Sequence, residues 1–454
     1  MERNLALKLF AICCLMALLL AGLFYIRSIV TERQQRRDGV VQDIARSSSM
    51  AQELTGPIVV VPYEKTVRDN KEEAGTGRQY IEERQVEGKL YFLPESLRID
   101  GALRTERRAR GIYEARLYHA DLRLAGRFDL PAHFGITEDL ASYRFGAPSI
   151  ALTLSDIRGI ESTPKVIGNG VALQVLPGSP STLLGRGFYA LLPGAAGADA
   201  MHLQFDVQMT VAGTSEFHLI PVGRDTEVSL RSNWPHPGFT GEYLPTRHDI
   251  DAKGFDARWT TSFFSTNLDE SLRKCASEGS CAEFNGRHLG VSFVDPVDQY
   301  LKTDRAIKYA LLFIFLTFAG FFLFELLARL AVHPVQYGLV GTALAVFYLL
   351  LLSLSEHIGF GPAYLLSSSA CVALLGYYIA HVLKGTGRGA GFAAALAALY
   401  GLLYGLLSAD DYSLLMGSLL VFGLLTAVMV LTRNIDWFSL GRKDEGERAS
   451  AVSS

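Results

Sequence analysis

The chain has 454 residues, with 43 Lys and Arg against 46 Asp and Glu, a net charge of −3 and a mean hydropathy of +0.20. The near-neutral balance, with only short, interrupted basic clusters at Arg33–Arg37 and Arg104–Arg110, gives no support for nucleic-acid binding. The averages conceal two halves: residues 28–305 are polar and charged, whereas 306–431 is nearly continuous apolar sequence, more than a soluble domain buries, so a wholly soluble protein is excluded.

In chain order, residues 1–4 precede a first apolar span, 5–26, with Arg3 and Lys8 at its basic start. The run exceeds the roughly 7–15 residues of a signal-peptide core and no A-x-A site follows, so an uncleaved anchor is expected, a cleaved signal being the competing reading. Residues 31–54 lack period-two alternation and predict a helix leaving the membrane. Ile58–Val61 is a β-branched apolar run that suits a strand buried on both faces, and the charged, Gly-containing Asp69–Gly77 predicts a mobile loop. Apolar and polar residues alternate over Tyr113–Tyr118, Leu122–Leu124, His202–Met209, Glu227–Leu230 and Phe255–Trp259, with Gly and Pro between them. These are strand-and-turn signals for an antiparallel, sandwich-like domain over 27–305. The rigid, aromatic Trp234-Pro235-His236-Pro237-Gly238-Phe239 offers Trp234, His236 and Phe239 as a candidate partner contact, or else as a Pro-rich corner packed inward.

Five further spans, at 306–327, 336–354, 360–383, 390–408 and 413–431, have about the length needed to cross the hydrocarbon core as helices. The tail, 432–454, is polar and predicted to be disordered from Arg442 onward. The expected architecture is therefore a polytopic α-helical membrane protein of six spans with a large β-rich domain. Arg329, His333, Lys384 and Arg388 lie in two of the short turns and Arg433, Arg442, Lys443 and Arg448 in the tail, while the opposite turns, Ser355-Glu356-His357 and Ala409-Asp410-Asp411, hold no Lys or Arg. The positive-inside rule makes the first set cytoplasmic, which puts both termini inside and 27–305 outside. Arg27, Arg33, Arg36, Arg37, Lys302, Arg305 and Lys308 run against that bias, but long loops translocate largely regardless of charge.

Cys275 and Cys281 are the only cysteines of the outer segment, and a disulfide closing a short loop is expected there; Cys13, Cys14 and Cys371 fall inside spans. No G-x-S-x-G, H-E-x-x-H or Walker signature occurs, S-x-x-K at Ser162–Lys165 and Ser271–Lys274 lacks its companions, and no catalytic, cofactor or metal site is expected. Ionisable groups at membrane depth are the better candidates. Glu325 and Arg329, four apart on one helix, predict a local ion pair. Ser353, Ser355, Glu356 and His357, with Asp410 and Asp411 at the same level, make a candidate outward polar cluster, the alternative being interfacial turns and caps. Pro334 and Pro362 suit first helical turns, and Gly401-x-x-x-Gly405 suits close helix packing.

Several stretches carry a resemblance to a known family. They are Gly56–Tyr63, Trp234–Pro237, Asp295–Asp298, Lys302–Ala306, Leu316–Phe318, Phe321–Glu325, His333–Tyr337, Phe347–Phe360 with its Ser-Leu-Ser-Glu-His core, and Leu431–Trp437. Together they span nearly the whole chain, which resembles the CreD family of inner-membrane proteins associated with cell-envelope integrity. The resemblance implies a bacterial inner-membrane protein linked to a two-component response and to envelope stress, and supplies no catalytic residue. The expectation is a non-enzymatic envelope-maintenance factor whose periplasmic domain contacts an envelope protein or cell-wall component, its only other partner being the lipid bilayer. The alternative is a transporter or intramembrane enzyme built around Glu356, His357, Asp410 and Asp411.

Overall fold

The computed structural model describes residues 2–72, 79–193, 199–293, 298–328, 332–382 and 385–408, with scattered positions between 415 and 433. The chain divides into two units, one of residues 1–36 and 297–454, the other of 37–296. The division falls inside a single helix, α1 (Glu2–Ser47), which contains the expected anchor and most of the expected exit helix. Residues 52–54 of that stretch are strand instead, because the buried run that follows recruits them into a sheet.

Among its described residues the β unit contains seventeen strands: β1 (Gln52–Glu72), β2 (Gln79–Phe92), β3 (Ser96–Arg110), β4 (Tyr113–Leu130), β5 (Tyr143–Phe145), β6 (Ser149–Leu154), β7 (Lys165–Gly168), β8 (Val171–Leu173), β9 (Val175–Pro177), β10 (Gly187–Leu191), β11 (Met201–Thr214), β12 (Glu216–Ile220), β13 (Asp225–Ser232), β14 (Gly238–Gly241), β15 (Arg247–Asp251), β16 (Gly254–Ser262) and β17 (Leu289–Ser292). They form a nine-stranded sheet of order β14-β17-β12-β1-β6-β10-β9, with β2 and β5 also on β1, and an eight-stranded sheet of order β15-β16-β13-β3-β4-β11-β7-β8. The chain passes from one sheet to the other between β11 and β12, at Ser215, whose φ of 66° makes the bend. Ile58, Val59, Val60 and Val61 are all fully buried in β1, as their β-branched run predicts. Tyr118 of β4 meets the Phe217 and Phe293 rings, so one apolar core draws on both sheets.

Two expectations need correction. The sheets are not wholly antiparallel: β1 pairs parallel with β12, and β13 pairs parallel with β3. Period-two alternation tells which face of a strand is buried and says nothing about which strand lies beside it. Residues 69–72 of the expected mobile loop are strand, since the β1–β2 hairpin stays in register out to Glu72 and Gln79; the rest of that loop lies outside the described residues. One glycine is fixed by contact: a Cβ on Gly126 would strike the Ser96 carbonyl oxygen across the β3–β4 pair.

Three short helices, α2 (Phe263–Thr266), α3 (Leu268–Glu278) and α4 (Ala282–Gly286), complete the β unit. The other unit holds α5 (Gln299–Ala328), α6 (Pro334–Ile358), α7 (Phe360–Val382) and α8 (Thr386–Ser408) with the start of α1. Among the described residues, five helices are long and apolar enough to cross a membrane: α1 and α5 to α8. The expected sixth span, 413–431, lies mostly outside the described residues. Pro334 does occupy the first turn of α6, where its missing N–H costs nothing, and His333 caps that helix by accepting from the Val335 amide at 3.3 Å. The G-x-x-x-G motif and the close approaches seen among the described residues lie at different glycines. Among the described residues nothing lies within 4 Å of a Cβ placed on Gly401 or Gly405, whereas one on Gly341 would meet Phe318 and Leu19, and one on Gly389 would meet Ala380.

Candidate functional site

In the helical unit the expected polar cluster is divided. Successive residues of a helix point about 100° apart, so Ser353, Ser355, Glu356 and His357 cannot share one face. Ser353 and His357 are exposed; Ser355 is buried and its hydroxyl donates to the Leu352 carbonyl at 2.9 Å. The Glu356 side chain is only 7% exposed: its carboxylate accepts from the Tyr300 hydroxyl at 2.9 Å and lies 3.6 Å from the Arg33 guanidinium. It therefore ties α1, α5 and α6 together. Asp410 and Asp411 lie outside the described residues.

Sequence reasoning overlooked Arg33 and Tyr300 as partners, and also the group beside them. Asp304 is bound by Arg27 at 3.0 Å and by Lys308 at 2.8 Å. The signal was present, because these cations were the ones that ran against the charge bias. Arg27, Arg33 and Lys308 each have an acidic neighbour on their own or an adjacent helix, and Arg36 likewise pairs with Glu32 at 2.9 Å.

At the other end of α5, Glu325 is buried and accepts from the Tyr337 hydroxyl at 2.8 Å and the Val332 amide at 3.0 Å. These two donors help to satisfy a carboxylate that would be expensive to bury alone. Arg329, its expected partner, lies outside the described residues. Deeper in the bundle, Tyr364 donates to the Tyr400 carbonyl at 2.7 Å and Tyr400 to the Cys371 sulfur at 3.3 Å.

In the β unit, Cys275 and Cys281 are joined by a disulfide with their Cα atoms 4.5 Å apart, which fastens the end of α3 to the start of α4. Trp234 is buried, donates its indole N–H to the His236 carbonyl at 2.7 Å and stacks under the Arg116 guanidinium. Phe239 packs edge-on to Phe255 and Trp259. Of the candidate contact only His236 is exposed, so this segment is the inward-packed corner. The His218 and His288 rings pack at a 45° tilt with centroids 4.6 Å apart, and burial together with His288 holds His218 below its ordinary range. Nearby, burial raises the Glu53 carboxyl, which lines a small pocket of about 220 Å³ with Thr153, Arg186 and Asn285.

An open groove of about 780 Å³ lies on the solvent face of the eight-stranded sheet. Its lining mixes carboxylates, guanidinium groups, hydroxyls and an amide with the apolar Ala102, Leu122 and Met209. No sequence motif marks it, because it assembles from alternate residues of separate strands.

Residues 4–438 match the family described as Inner membrane protein CreD. The chain is also 36% identical over 424 residues to Inner membrane protein CreD of Escherichia coli (strain K12), covering 93% of this chain and 91% of that protein. The chain belongs to the CreD family. That makes it an inner-membrane protein, in agreement with the apolar helices and the resemblance carried by its Ser-Leu-Ser-Glu-His motif. The CreD stretch Phe347–Phe360 contains Glu356, which the bundle uses internally. Likenesses to solved structures are remote. An M1 zinc metallopeptidase from Deinococcus radiodurans aligns at 10% identity over 37% of this chain with a TM-score of 0.18, and a mutant of that peptidase bound to a Tyr-Ser-Ala substrate does so with a TM-score of 0.17. The chain spans 40% of those peptidases, and at such scores the likeness carries no argument.

Proposed function

We propose that this CreD-family protein is a non-enzymatic factor of envelope maintenance, with the β unit in the periplasm meeting an envelope component and the helices anchoring it. The observation that carries this reading is where the accessible polar groups are. Glu325, Glu356 and Asp304 are occupied by partners within the helical unit, whereas the large open groove belongs to the β unit. The charge bias of the short turns supports an outward β unit and cytoplasmic termini.

Two experiments test the reading. In a strain lacking the protein, Glu356→Gln, His357→Ala and Asp410→Asn are expected to restore resistance to envelope stress while removal of residues 52–292 is not. Loss of function in the three point variants at normal protein levels would favour transport or membrane catalysis, and rescue by the truncated chain would end the envelope-partner reading. A phosphatase fusion near residue 150 is expected to be active and one past residue 440 silent; the reverse pattern would invert the topology.

A further inference from the structure

We propose that the groove on the eight-stranded sheet binds an uncharged, hydroxyl-rich, β-linked glycan strand laid across the strands. This deepens the reading above and rests on it, since it names the envelope component that the β unit meets.

The groove is built from cross-strand rows. Ser229 of β13 pairs with Asp100 of β3, which pairs with Arg123 of β4, which pairs with Gln208 of β11, which pairs with Lys165 of β7. A second row runs alongside, from Arg231 through Ala102 and Asp121 to Thr210. The small side chains of Ser229 and Ala102 leave the depression between longer neighbours. Two of the charged groups are already held in place. Arg123 donates to Asp206 at 2.8 and 2.6 Å, and Asp121 accepts from Arg104 at 3.1 Å and from the Thr210 hydroxyl at 3.0 Å. Arg231 and Lys165 have no hydrogen bond or ion pair among the described residues, and Asp100, which feels the charge of its neighbour Arg123, makes no hydrogen bond there; all three are available to an occupant.

Charge and spacing select the occupant. Asp100, Asp121 and Asp256 balance Arg123, Lys165 and Arg231, so neither a polyanion nor a polycation is matched. Six charged side chains line the groove beside its apolar floor, and burying them under an acyl chain would leave them desolvated. The backbone groups beneath are spent in the sheet ladders, so recognition falls to side chains, and a peptide cannot add as another strand. An occupant crossing the sheet meets one strand every ~4.8 Å; a β-linked sugar repeats about every 5 Å and keeps step, whereas an extended peptide at ~3.4 Å per residue does not. Carboxylates accept from paired sugar hydroxyls, and Arg, Lys and the Gln208 amide serve ring and acetamido oxygens. A volume of about 780 Å³ holds several such sugars.

The test is calorimetric titration of the full-length protein in lipid nanodiscs, free of sugar-headed detergent. The probes are the β-1,4 hexamers of N-acetylglucosamine and of glucose. Saturable binding that strengthens from dimer to hexamer is expected, weakened about tenfold by Asp100→Ala and abolished by Ser229→Trp, which fills the groove. Binding of the acetamido hexamer alone points to an amino-sugar glycan of the cell-wall type, and binding of both to recognition of hydroxyls common to many polysaccharides. Three results overturn the proposal: neither hexamer saturates; Asp100→Ala binds as tightly as the parent; or an extended mixed-charge peptide saturates the groove in their place. Asp100 is exposed, so its variant reports even if Ser229→Trp fails to fold. If no glycan binds yet the β unit is still required for complementation, the glycan falls and the envelope-partner reading stands; if the truncated chain complements, both fall.

Discussion

The clasp at the end of α1 allows the energetics to be tested quantitatively. Asp156 accepts from the Met50 amide at 3.0 Å, from the Arg158 amide at 3.1 Å, and from the Arg158 guanidinium at 2.9 and 2.6 Å. Arg158 in turn donates to the Arg46 carbonyl at 2.6 Å, satisfying an acceptor in the last turn of α1 that the helix itself leaves free. The Arg158 guanidinium holds the Asp156 carboxyl down from the ordinary 3.8 to about 2. At ~1.4 kcal/mol per pH unit the depression sets a ceiling of ~2.4 kcal/mol. The Arg158 side chain is about half exposed, and solvent screening leaves ~1–1.5 kcal/mol. Asp156→Asn is therefore expected to lower the melting temperature of the β unit at pH 7 by ~2–5 °C. A carboxyl depressed by folding stabilises above its unfolded range, and that contribution is lost as pH falls from about 4 toward 2. The assay is strand-sensitive circular dichroism of the full-length protein in nanodiscs, melted at pH 7 and at pH 3. The wild type should lose more stability between the two than the Asn variant. Equal melting at pH 7, or an equal acid-induced drop, would refute the clasp.

Glu356→Gln is expected to destabilise the helical unit by ~0.5–1.5 kcal/mol, because the buried carboxylate end loses its charge while the partly exposed Arg33 stays screened by solvent. The exchange of Arg33→Glu with Glu356→Arg should recover part of that loss on melting in nanodiscs, and an exchange no better than the single change would deny the pairing. Replacing Cys275 and Cys281 by Ala should cost ~2 kcal/mol through the released loop. Before reduction neither thiol should take up an alkylating mass tag, and labelling of both would exclude the bridge. Since His218 is held below its ordinary 6.5, the folded state resists its protonation. Its stabilising share is complete above that pH and declines as pH falls below it, so His218→Gln should flatten the melting profile between pH 7 and pH 5. A variant profile parallel to the wild type would count against this.

The amino-acid sequence by itself determined five apolar helices long enough to cross a membrane, the strand-rich middle, the family and the cysteine pair. Each of these is a local matter: the length of an apolar run, the period of an alternation, a motif, or two thiols a few residues apart. Ile58–Val61 was legible as a doubly buried strand because β-branched residues without polar neighbours have no solvent face to offer. Tertiary structure alone decided which residues meet. Arg33 finds Glu356 across more than three hundred residues, and Arg27 and Lys308, which ran against the charge bias, both meet Asp304. The Ser-Leu-Ser-Glu-His motif looked like one cluster in one dimension, yet the helical turn sends its members to different faces. The two parallel strand pairs and the groove row from Ser229 to Lys165 depend on register between distant segments. Register is set by how two sheets share one core, and no window along the chain contains that information.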